Sequence, residues 1–358
     1  MFSSSRLFLF ALLLSPLYLY RSGLPQIGDF IYALSFLPYL YNFTSLNILL
    51  NTWPKTLLLF IVWVAIVSLF WLINLSDPNF IKPFLYYGFN FSITSTLFVY
   101  LIRDQKYLNK ISNILFFSSI IVLISVIAKI GMYRNTGTFN NPNQLALFGL
   151  FLMSTIQLLN NYDIPKKGKD LFIYLTGFLC ILSSLSITAI IPTPFFIICS
   201  ILKNKIKITS ILLSLILLLI PIFIINNIPY IGGRLLKRGA RTGVKIERLF
   251  EDRGYIKLQE NPKYLIFGAG EAARERFGYE QEIHSVPANV FFSYGIFGIV
   301  LLGYSLFLIL NPFTIQNFLL LLPIGFFSLT HMSLRSTFIW ILIAIIYYKN
   351  STRKKQLN

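Results

Sequence analysis

The sequence predicts an all-α polytopic membrane protein with about 12 transmembrane helices and one long periplasmic loop that contains amphipathic helices. Of its 358 residues, 56% are hydrophobic and 12% are charged. That charged fraction is about half the share found in soluble domains. The mean hydropathy is +0.69. These values exclude a soluble globular enzyme and a disordered chain, and the long apolar runs differ from the alternating pattern of an outer-membrane barrel.

The apolar runs define candidate spans along a single integral membrane domain, residues 1–358. In chain order the spans are Leu7–Tyr20, Phe30–Leu50, Thr56–Asn74, Phe84–Ile102, Ile111–Ile130, Gln144–Leu159, Leu171–Ile187, Thr188–Leu202, Ile208–Asn226, Asn289–Leu310, Asn317–Thr330 and Leu334–Tyr348. Residues 1–226 hold the first nine of these spans, and residues 289–348 hold the last three. Pro192 and Pro194 interrupt Thr188–Leu202, so this span is expected to be a broken or re-entrant helix.

The net charge of +18 comes from short basic clusters between the apolar runs. This distribution is the positive-inside pattern of membrane proteins, so no nucleic-acid partner is predicted. The clusters near residues 103–110, 166–169, 203–207 and 349–358 alternate as cytoplasmic loops should. The pattern therefore predicts a membrane protein with both termini in the cytoplasm, and residues 349–358 form its cytoplasmic tail.

Residues 227–288 form the predicted periplasmic loop. This segment carries eleven Lys and Arg residues and eight of the thirteen acids, and long loops are translocated despite such charge. Apolar residues spaced along 234–259 predict one or two amphipathic helices at the membrane surface. Arg248 and Arg253 flank Glu251 and Asp252 within this stretch. Guanidinium groups bind diphosphate with bidentate geometry. Internal pairing with the nearby acids is favoured for any single arginine, whereas the set, next to His284, favours a ligand site.

A polar motif, Arg134-Asn-Thr-Gly-Thr-Phe-Asn-Asn-Pro-Asn143, stands directly before a predicted helix. Asn143 is expected to cap that helix. Arg134, Asn140 and Asn143 at the mouth of an apolar bundle are suited to an anionic or sugar ligand. The alternative is a capped helix start without a ligand.

His284 and Ser285 precede a predicted helix that contains Gly295 and Gly298. An imidazole accepts a proton near neutral pH, so His284 is the candidate general base. The alternative is a surface histidine, with the glycine pair serving helix–helix packing. His331 and Arg335 lie in the last external turn and form a further candidate site, against the alternative that Arg335 extends to the interface.

Three ordered features resemble the O-antigen polymerase and O-antigen ligase family of bacterial envelopes. The first is Arg134 followed by Gly137-Thr-Phe-Asn-Asn-Pro-Asn143. The second is Arg253, in one long loop, followed by Asn261-Pro262 and Phe267-Gly-Ala-Gly270. The third is His284-Ser285, nine residues, and then Gly295-Ile-Phe-Gly298. The chain departs from the family at Ile187, because the family carries an arginine at the matching position of its Ser-Arg-x-Ala segment.

The resemblance implies a metal-independent glycosyltransferase on the external, periplasmic face of the bacterial inner membrane that needs no cofactor. Its donor would be an undecaprenyl-diphosphate-linked oligosaccharide in the membrane lipid, with arginines holding the diphosphate and His284 deprotonating the acceptor. Together with the candidates drawn from the residues alone, the expected substrate and diphosphate site comprises Arg134, Asn140, Asn143, Arg248, Arg253, His331 and Arg335. A chain-length regulator protein is a partner that the resemblance admits.

Two members of this family share the chemistry and differ in acceptor. An O-antigen polymerase extends the next lipid-linked repeat unit, whereas an O-antigen ligase transfers the glycan to lipid A-core. The compact chain and its departure at Ile187 favour the polymerase, because polymerases look more divergent in sequence than ligases.

A lipid-linked oligosaccharide flippase is a third alternative, but it predicts short loops on both faces and charged residues at mid-membrane depth. A non-catalytic envelope scaffold is a fourth.

Overall fold

The structure is a computed structural model, and it describes residues 4–21, 25–40, 53–132, 134–203, 255–278 and 282–357. The described chain is all-helical, as the sequence predicts. Its helices, numbered in chain order, are α1 (Ser4–Leu14), α2 (Ile27–Leu40), α3 (Lys55–Leu75), α4 (Ile81–Arg103), α5 (Tyr107–Ala128), α6 (Pro142–Leu159), α7 (Gly168–Ser184), α8 (Ile187–Ile190), α9 (Pro194–Lys203), α10 (Ile256–Glu260), α11 (Val286–Ile309), α12 (Ile315–Ser328) and α13 (Thr337–Leu357). Short 3₁₀ turns cover Pro78–Phe80, Pro262–Tyr264, Arg274–Phe277 and Ser333–Arg335.

Within the described residues, five helices are long and apolar enough to cross a membrane: Lys55–Leu75, Pro78–Arg103, Tyr107–Ala128, Pro142–Leu159 and Val286–Ile309. The shorter apolar helices include α1, whose 11 residues span about 16 Å, roughly half of a hydrocarbon core. The predicted span Ile208–Asn226 and the second half of Phe30–Leu50 lie outside the described residues.

The predicted break in Thr188–Leu202 is confirmed. Helix α8 ends at Ile190, and α9 starts at Pro194, where proline suits the first turn of a helix. Pro192 lies in the turn between them. Thr193 Oγ1 donates to Ala189 O at 2.8 Å, which supplies a partner for a carbonyl of the short α8.

Helices α6 and α7 pack closely, because two glycines face each other at their crossing. A Cβ on Gly149 would lie 2.5 Å from Gly177 O, and a Cβ on Gly177 would lie 2.8 Å from Gly149 O. Small residues allow the backbones of membrane helices to approach this closely. This contact fixes the C-terminal end of α7 beside the polar loop that precedes α6.

The lysine-rich loops meet at one end of the bundle. Lys203 pairs with Asp163 at 2.7 Å, and Lys349 donates to Leu158 O at 2.6 Å. Lys169 bonds Asn113 across the same end. Loops that the charge pattern assigns to one face of the membrane therefore lie together, and the polar motifs lie at the other end of the bundle.

Candidate functional site

The site is organised around a break in α11 at Gly295. There φ is 65° and ψ is −166°, a backbone conformation that is essentially restricted to glycine. A Cβ at this position would lie 2.1 Å from Ile266 O. Gly295 therefore admits the backbone of the preceding loop into the helix. The sequence offered helix–helix packing as the alternative role of this glycine, whereas in the structure it packs against a loop.

The loop that enters the break satisfies the hydrogen-bonding groups that the break exposes. Three backbone bonds of 2.8 Å join them: Ala269 N to Phe292 O, Gly270 N to Ser293 O, and Ile296 N to Leu265 O. Trp63 Nε1 donates to Tyr294 O at 2.7 Å, and Trp71 Nε1 donates to Gly268 O at 2.9 Å. Helix ends in an apolar setting require such partners. The Gly268-Ala-Gly270 and Gly295 motifs thus form one structural unit.

Arg276 fastens the same loop to α3 and to the turn at Phe80. Its guanidinium carbon lies 4.4 Å from the ring centre of Trp71 and 4.5 Å from that of Phe277. Its Nη2 also donates to Ala269 O. Cation–π contacts of this kind strengthen as water is excluded. The segment 264–278 is therefore held against the bundle by aromatic stacking as well as by backbone bonds.

A charged cluster joins this segment to the turn between α12 and α13. Arg335 Nη2 lies 2.8 Å from Glu271 Oε2, and Arg335 Nη1 lies 2.7 Å from Glu282 Oε2. Glu282 also pairs with Arg274 through its other oxygen. Two carboxylates and two guanidinium groups thus form one continuous network, which links Glu271 to Arg335, 64 positions further along the chain.

Glu271 lies beneath this network. Its side chain is 1% exposed, whereas Arg335 is 27% exposed. Tyr87 Oη donates to Glu271 Oε1 at 3.0 Å, and Tyr86 Oη donates to the other oxygen. A buried carboxylate is costly unless it is paired and hydrogen-bonded, and Glu271 has both kinds of partner.

The sequence alone did not single out Glu271, Glu282, Arg274, Tyr86 or Tyr87. One signal was available for the first of these. Glu271 directly follows the Gly268-Ala-Gly270 motif, and an arginine in a membrane-end turn such as Arg335 requires a counter-charge. The tyrosines carry no such signal, because a Tyr pair in an apolar span is ordinary helix composition.

Electrostatics favour the charged forms of Glu282 and Arg335 in this cluster. Burial raises the pKa of the Glu282 carboxyl, but Arg335 and Arg274 outweigh burial, so its pKa is lowered overall. Burial lowers the pKa of the Arg335 guanidinium, and Glu271 and the other acidic neighbours reverse that effect and raise it. Both groups are therefore charged at neutral pH.

His284 lies at the N-terminal entrance of α11 and is exposed. The next residue, Ser285, caps the helix, since its Oγ accepts from Ala288 N at 3.4 Å. Ser285 Oγ also lies 2.6 Å from Tyr255 Oη, which donates to Leu329 O at 3.2 Å. These contacts tie the His284 segment to the turn after α12.

His331 lies in that same turn and is half-buried. Its ring stacks on Phe327 with the centres 4.3 Å apart and the planes at 13°. Its Nδ1 lies 2.8 Å from Thr330 Oγ1. The structure thus brings the His284 segment and the His331–Arg335 turn together, as a shared site requires.

Arg134 is held in a defined orientation. Its Nε donates to Ser184 O at 3.0 Å, and its Nη2 donates to Asn143 Oδ1 at 2.8 Å. The predicted cap is wrong by two residues. Asn141 caps α6 by accepting from Asn143 N at 2.8 Å, because Pro142 occupies the first helical position, where its missing N–H costs nothing. The Asn143 side chain is thereby available to bind Arg134.

Asn140 is exposed and donates its amide to Tyr20 O, after α1. Its neighbour Phe139 lies 6.3 Å, centre to centre, from Phe338 in α13. Helix α13 starts two residues after Arg335. The Arg134 loop and the charged cluster therefore lie at the same end of the bundle.

Arg248 and Arg253 lie outside the described residues, as does most of the predicted amphipathic stretch 234–259. Residues 256–259 of that stretch, with Glu260, form the short helix α10.

No protein-family model matches the chain, and a search of the curated proteins finds no match to it either. The family resemblance therefore rests on the order and spacing of its three motifs.

Proposed function

We propose that the chain is an O-antigen polymerase, a glycosyltransferase of the inner membrane that works on its periplasmic face. The observation that carries this proposal is the 2.7 Å ion pair between Glu282 and Arg335. It holds the segment that ends in His284 against the turn that contains Arg335. A candidate base and a candidate anion-binding guanidinium thus share one end of an apolar helix bundle.

The proposed reaction transfers a glycan from undecaprenyl diphosphate to the next lipid-linked repeat unit. A hydroxyl of the acceptor unit attacks the anomeric carbon of the donor glycan and forms the new C–O bond. The bond from that carbon to the diphosphate oxygen breaks, and undecaprenyl diphosphate leaves. His284 takes the acceptor proton, and arginines stabilise the negative charge that develops on the leaving group.

Arg134 is the best-supported replacement for the arginine that the family carries at the position of Ile187. Its guanidinium bonds Ser184 O, three residues before Ile187, and Asn135 N donates to Ser183 O at 3.1 Å in the same segment. A guanidinium supplied from this loop occupies nearly the same part of the bundle. This proximity supports Arg134, with its partner Asn143, as part of the substrate site. Asn140 and His331 belong to the proposed site because their loops lie at the same end of the bundle.

The proposed topology has 12 spans, about the count that the apolar runs give, with both termini in the cytoplasm. Its support is the grouping of the lysine-rich loops. Tyr107 Oη donates to Ser5 O at 2.7 Å, and Lys349 bonds the loop after α6, so the start of α1 and the end of α13 lie with those loops. The positive-inside rule assigns this end to the cytoplasm.

A gel of lipopolysaccharide from a strain that lacks the gene tests the proposal. If the chain is the polymerase, the gel should show core that carries one repeat unit and no ladder. Reintroduction of the parent gene should restore the ladder. Bare core, with polymer still accumulating on the lipid carrier, would instead identify an O-antigen ligase. An unchanged ladder would contradict both members of the family as the function of this chain.

A further inference from the structure

Glu282 lies between two guanidinium groups. Its Oε2 is 2.7 Å from Arg335 Nη1, and its Oε1 pairs with Arg274. Paired guanidinium groups that converge on one small anion are a frequent arrangement for binding phosphate and diphosphate. In this protein, one of the chain's own carboxylates occupies that position.

The cluster has a fixed lower layer and an accessible upper layer. The side chain of Glu271 is 1% exposed and is bonded by two tyrosines, whereas the side chains of Glu282 and Arg274 are each 29% exposed. Arg335 spans the two layers, with one terminal nitrogen on each carboxylate. Glu282 is therefore the carboxylate that an incoming anion can replace, while Glu271 keeps Arg335 in place.

The charge of the cluster favours such an exchange. Arg274 and Arg335 give two cations against the carboxylates of Glu271 and Glu282. Displacement of Glu282 would leave one excess positive charge and two guanidinium groups facing the vacated position, which favours an incoming anion such as a diphosphate.

Glu282 also belongs to the segment that positions the candidate base. Residues 282–285 have no helical structure, and Ser285 anchors the end of this segment through its contacts with α11 and Tyr255. Two residues separate Glu282 from His284. A displacement of Glu282 would therefore change the position of His284 while the start of α11 stays in place.

We propose that Glu282 is an internal competitor for the diphosphate of the donor, held between Arg274 and Arg335 and displaced when the donor binds. This inference rests on the proposed function for the identity of the donor. It adds Arg274 to the diphosphate site, and it makes donor binding the event that moves His284.

The test measures binding of methylenediphosphonate, a diphosphate analogue without lipid or sugar, to the purified full chain in detergent by calorimetry. Glu282→Gln should bind the probe about tenfold more tightly than the parent, because the competing charge is gone. Arg274→Gln added to Glu282→Gln should abolish that gain. Glu275→Gln is the matched control, since it removes an exposed acid from the same segment and should change the affinity by less than about twofold.

Equal affinities of Glu282→Gln and Glu275→Gln would overturn the inference, as would weaker binding by Glu282→Gln. A second measurement uses the parent protein, so it does not depend on how the variants fold. Methylenediphosphonate should protect Arg274 and Arg335 from phenylglyoxal, as read by mass spectrometry, and should leave the exposed Arg6 reactive. Equal modification of all three arginines would contradict the proposed site.

Failure of this inference can be distinguished from failure of the proposed function. If Glu282→Gln binds the probe more tightly but the parent protein transfers no glycan, the anion site is supported and the polymerase function is rejected. If the parent transfers glycan but Glu282→Gln binds the probe as the parent does, the polymerase function is supported and the role of Glu282 as an internal competitor is rejected.

Discussion

Glu271 shows how one buried residue organises the end of the bundle that lies opposite the lysine-rich loops. It receives hydrogen bonds from Tyr86 and Tyr87 on α4 and an ion pair from Arg335, so it joins the loop that enters α11 to two other parts of the chain. Breaking a buried pair of this kind typically costs about 3–5 kcal/mol, because the remaining charge has no partner. The geometry of Arg335 therefore depends on a carboxylate that lies below the exposed surface of the cluster.

Arg134→Lys tests the role of the planar guanidinium. Lysine keeps the charge but cannot bond Ser184 O and Asn143 together in the same geometry, so transfer should fall about tenfold or more. The measurement is the rate of polymer formation at equal amounts of protein in the membrane. Arg103→Lys, at the lysine-rich end, is the control and should retain the parent rate. Full activity of Arg134→Lys would remove Arg134 from the site.

The lowered pKa of Glu282 predicts a particular pH dependence of stability. A carboxylate with a depressed pKa stabilises the folded protein above its unfolded pKa of about 4.3, and this contribution is lost as the pH falls through the folded value. The stability difference between the parent and Glu282→Gln should thus be constant from about pH 8 to pH 5 and shrink only below about pH 4. Thermal unfolding in detergent measures it. A difference that already disappears between pH 7 and pH 5 would be inconsistent with these ion pairs.

At the scale of elements, the break in α11 and the loop 264–270 form a single unit. Gly295→Ala would place a Cβ 2.1 Å from Ile266 O in a conformation that alanine avoids. The strain alone is about 1–3 kcal/mol, so the loop should detach or the protein should unfold at a lower temperature. Limited proteolysis at residues 264–278 and thermal unfolding report the two outcomes.

Gly303→Ala is the matched control on the same helix. No atom lies within 4 Å of a Cβ at that position, and alanine favours a helix over glycine by about 0.5–1 kcal/mol. This variant should be as stable as the parent or slightly more stable. If Gly295→Ala behaves like Gly303→Ala, the loop does not enter the helix at Gly295.

Elements could be predicted from the sequence where the signal is local. The predicted span Thr56–Asn74 corresponds to α3 at Lys55–Leu75, and Asn289–Leu310 corresponds to α11 at Val286–Ile309, because hydropathy along a helix is a property of neighbouring residues. The need of Arg335 for a counter-charge could be predicted, but its pairing with Glu271 in particular could not, since no sequence pattern links residues so far apart. The misplaced cap at Asn143 has a local cause, because Pro142 prefers the first helical position and moves the cap to Asn141.

At the scale of the whole molecule, the two ends of the bundle differ in charge, and the proposed topology places them on opposite sides of the membrane. In a background with Cys180 and Cys199 replaced by alanine, Glu275→Cys should react with an impermeant thiol reagent added to intact spheroplasts. Lys106→Cys should react only after lysis. Both positions are exposed in the structure, so accessibility to the reagent depends on the side of the membrane. The reverse pattern would invert the proposed topology and remove the cluster from the periplasm.

Glycan transfer by the purified chain in liposomes, given only an undecaprenyl-diphosphate-linked repeat unit, tests the central claim most directly. We expect a ladder of lipid-linked polymers with release of undecaprenyl diphosphate, and we expect none from His284→Ala. The exposed Lys263→Ala, on the segment that precedes His284, should retain the ladder. A ladder of undiminished length from His284→Ala, or none from the parent protein, would contradict the account.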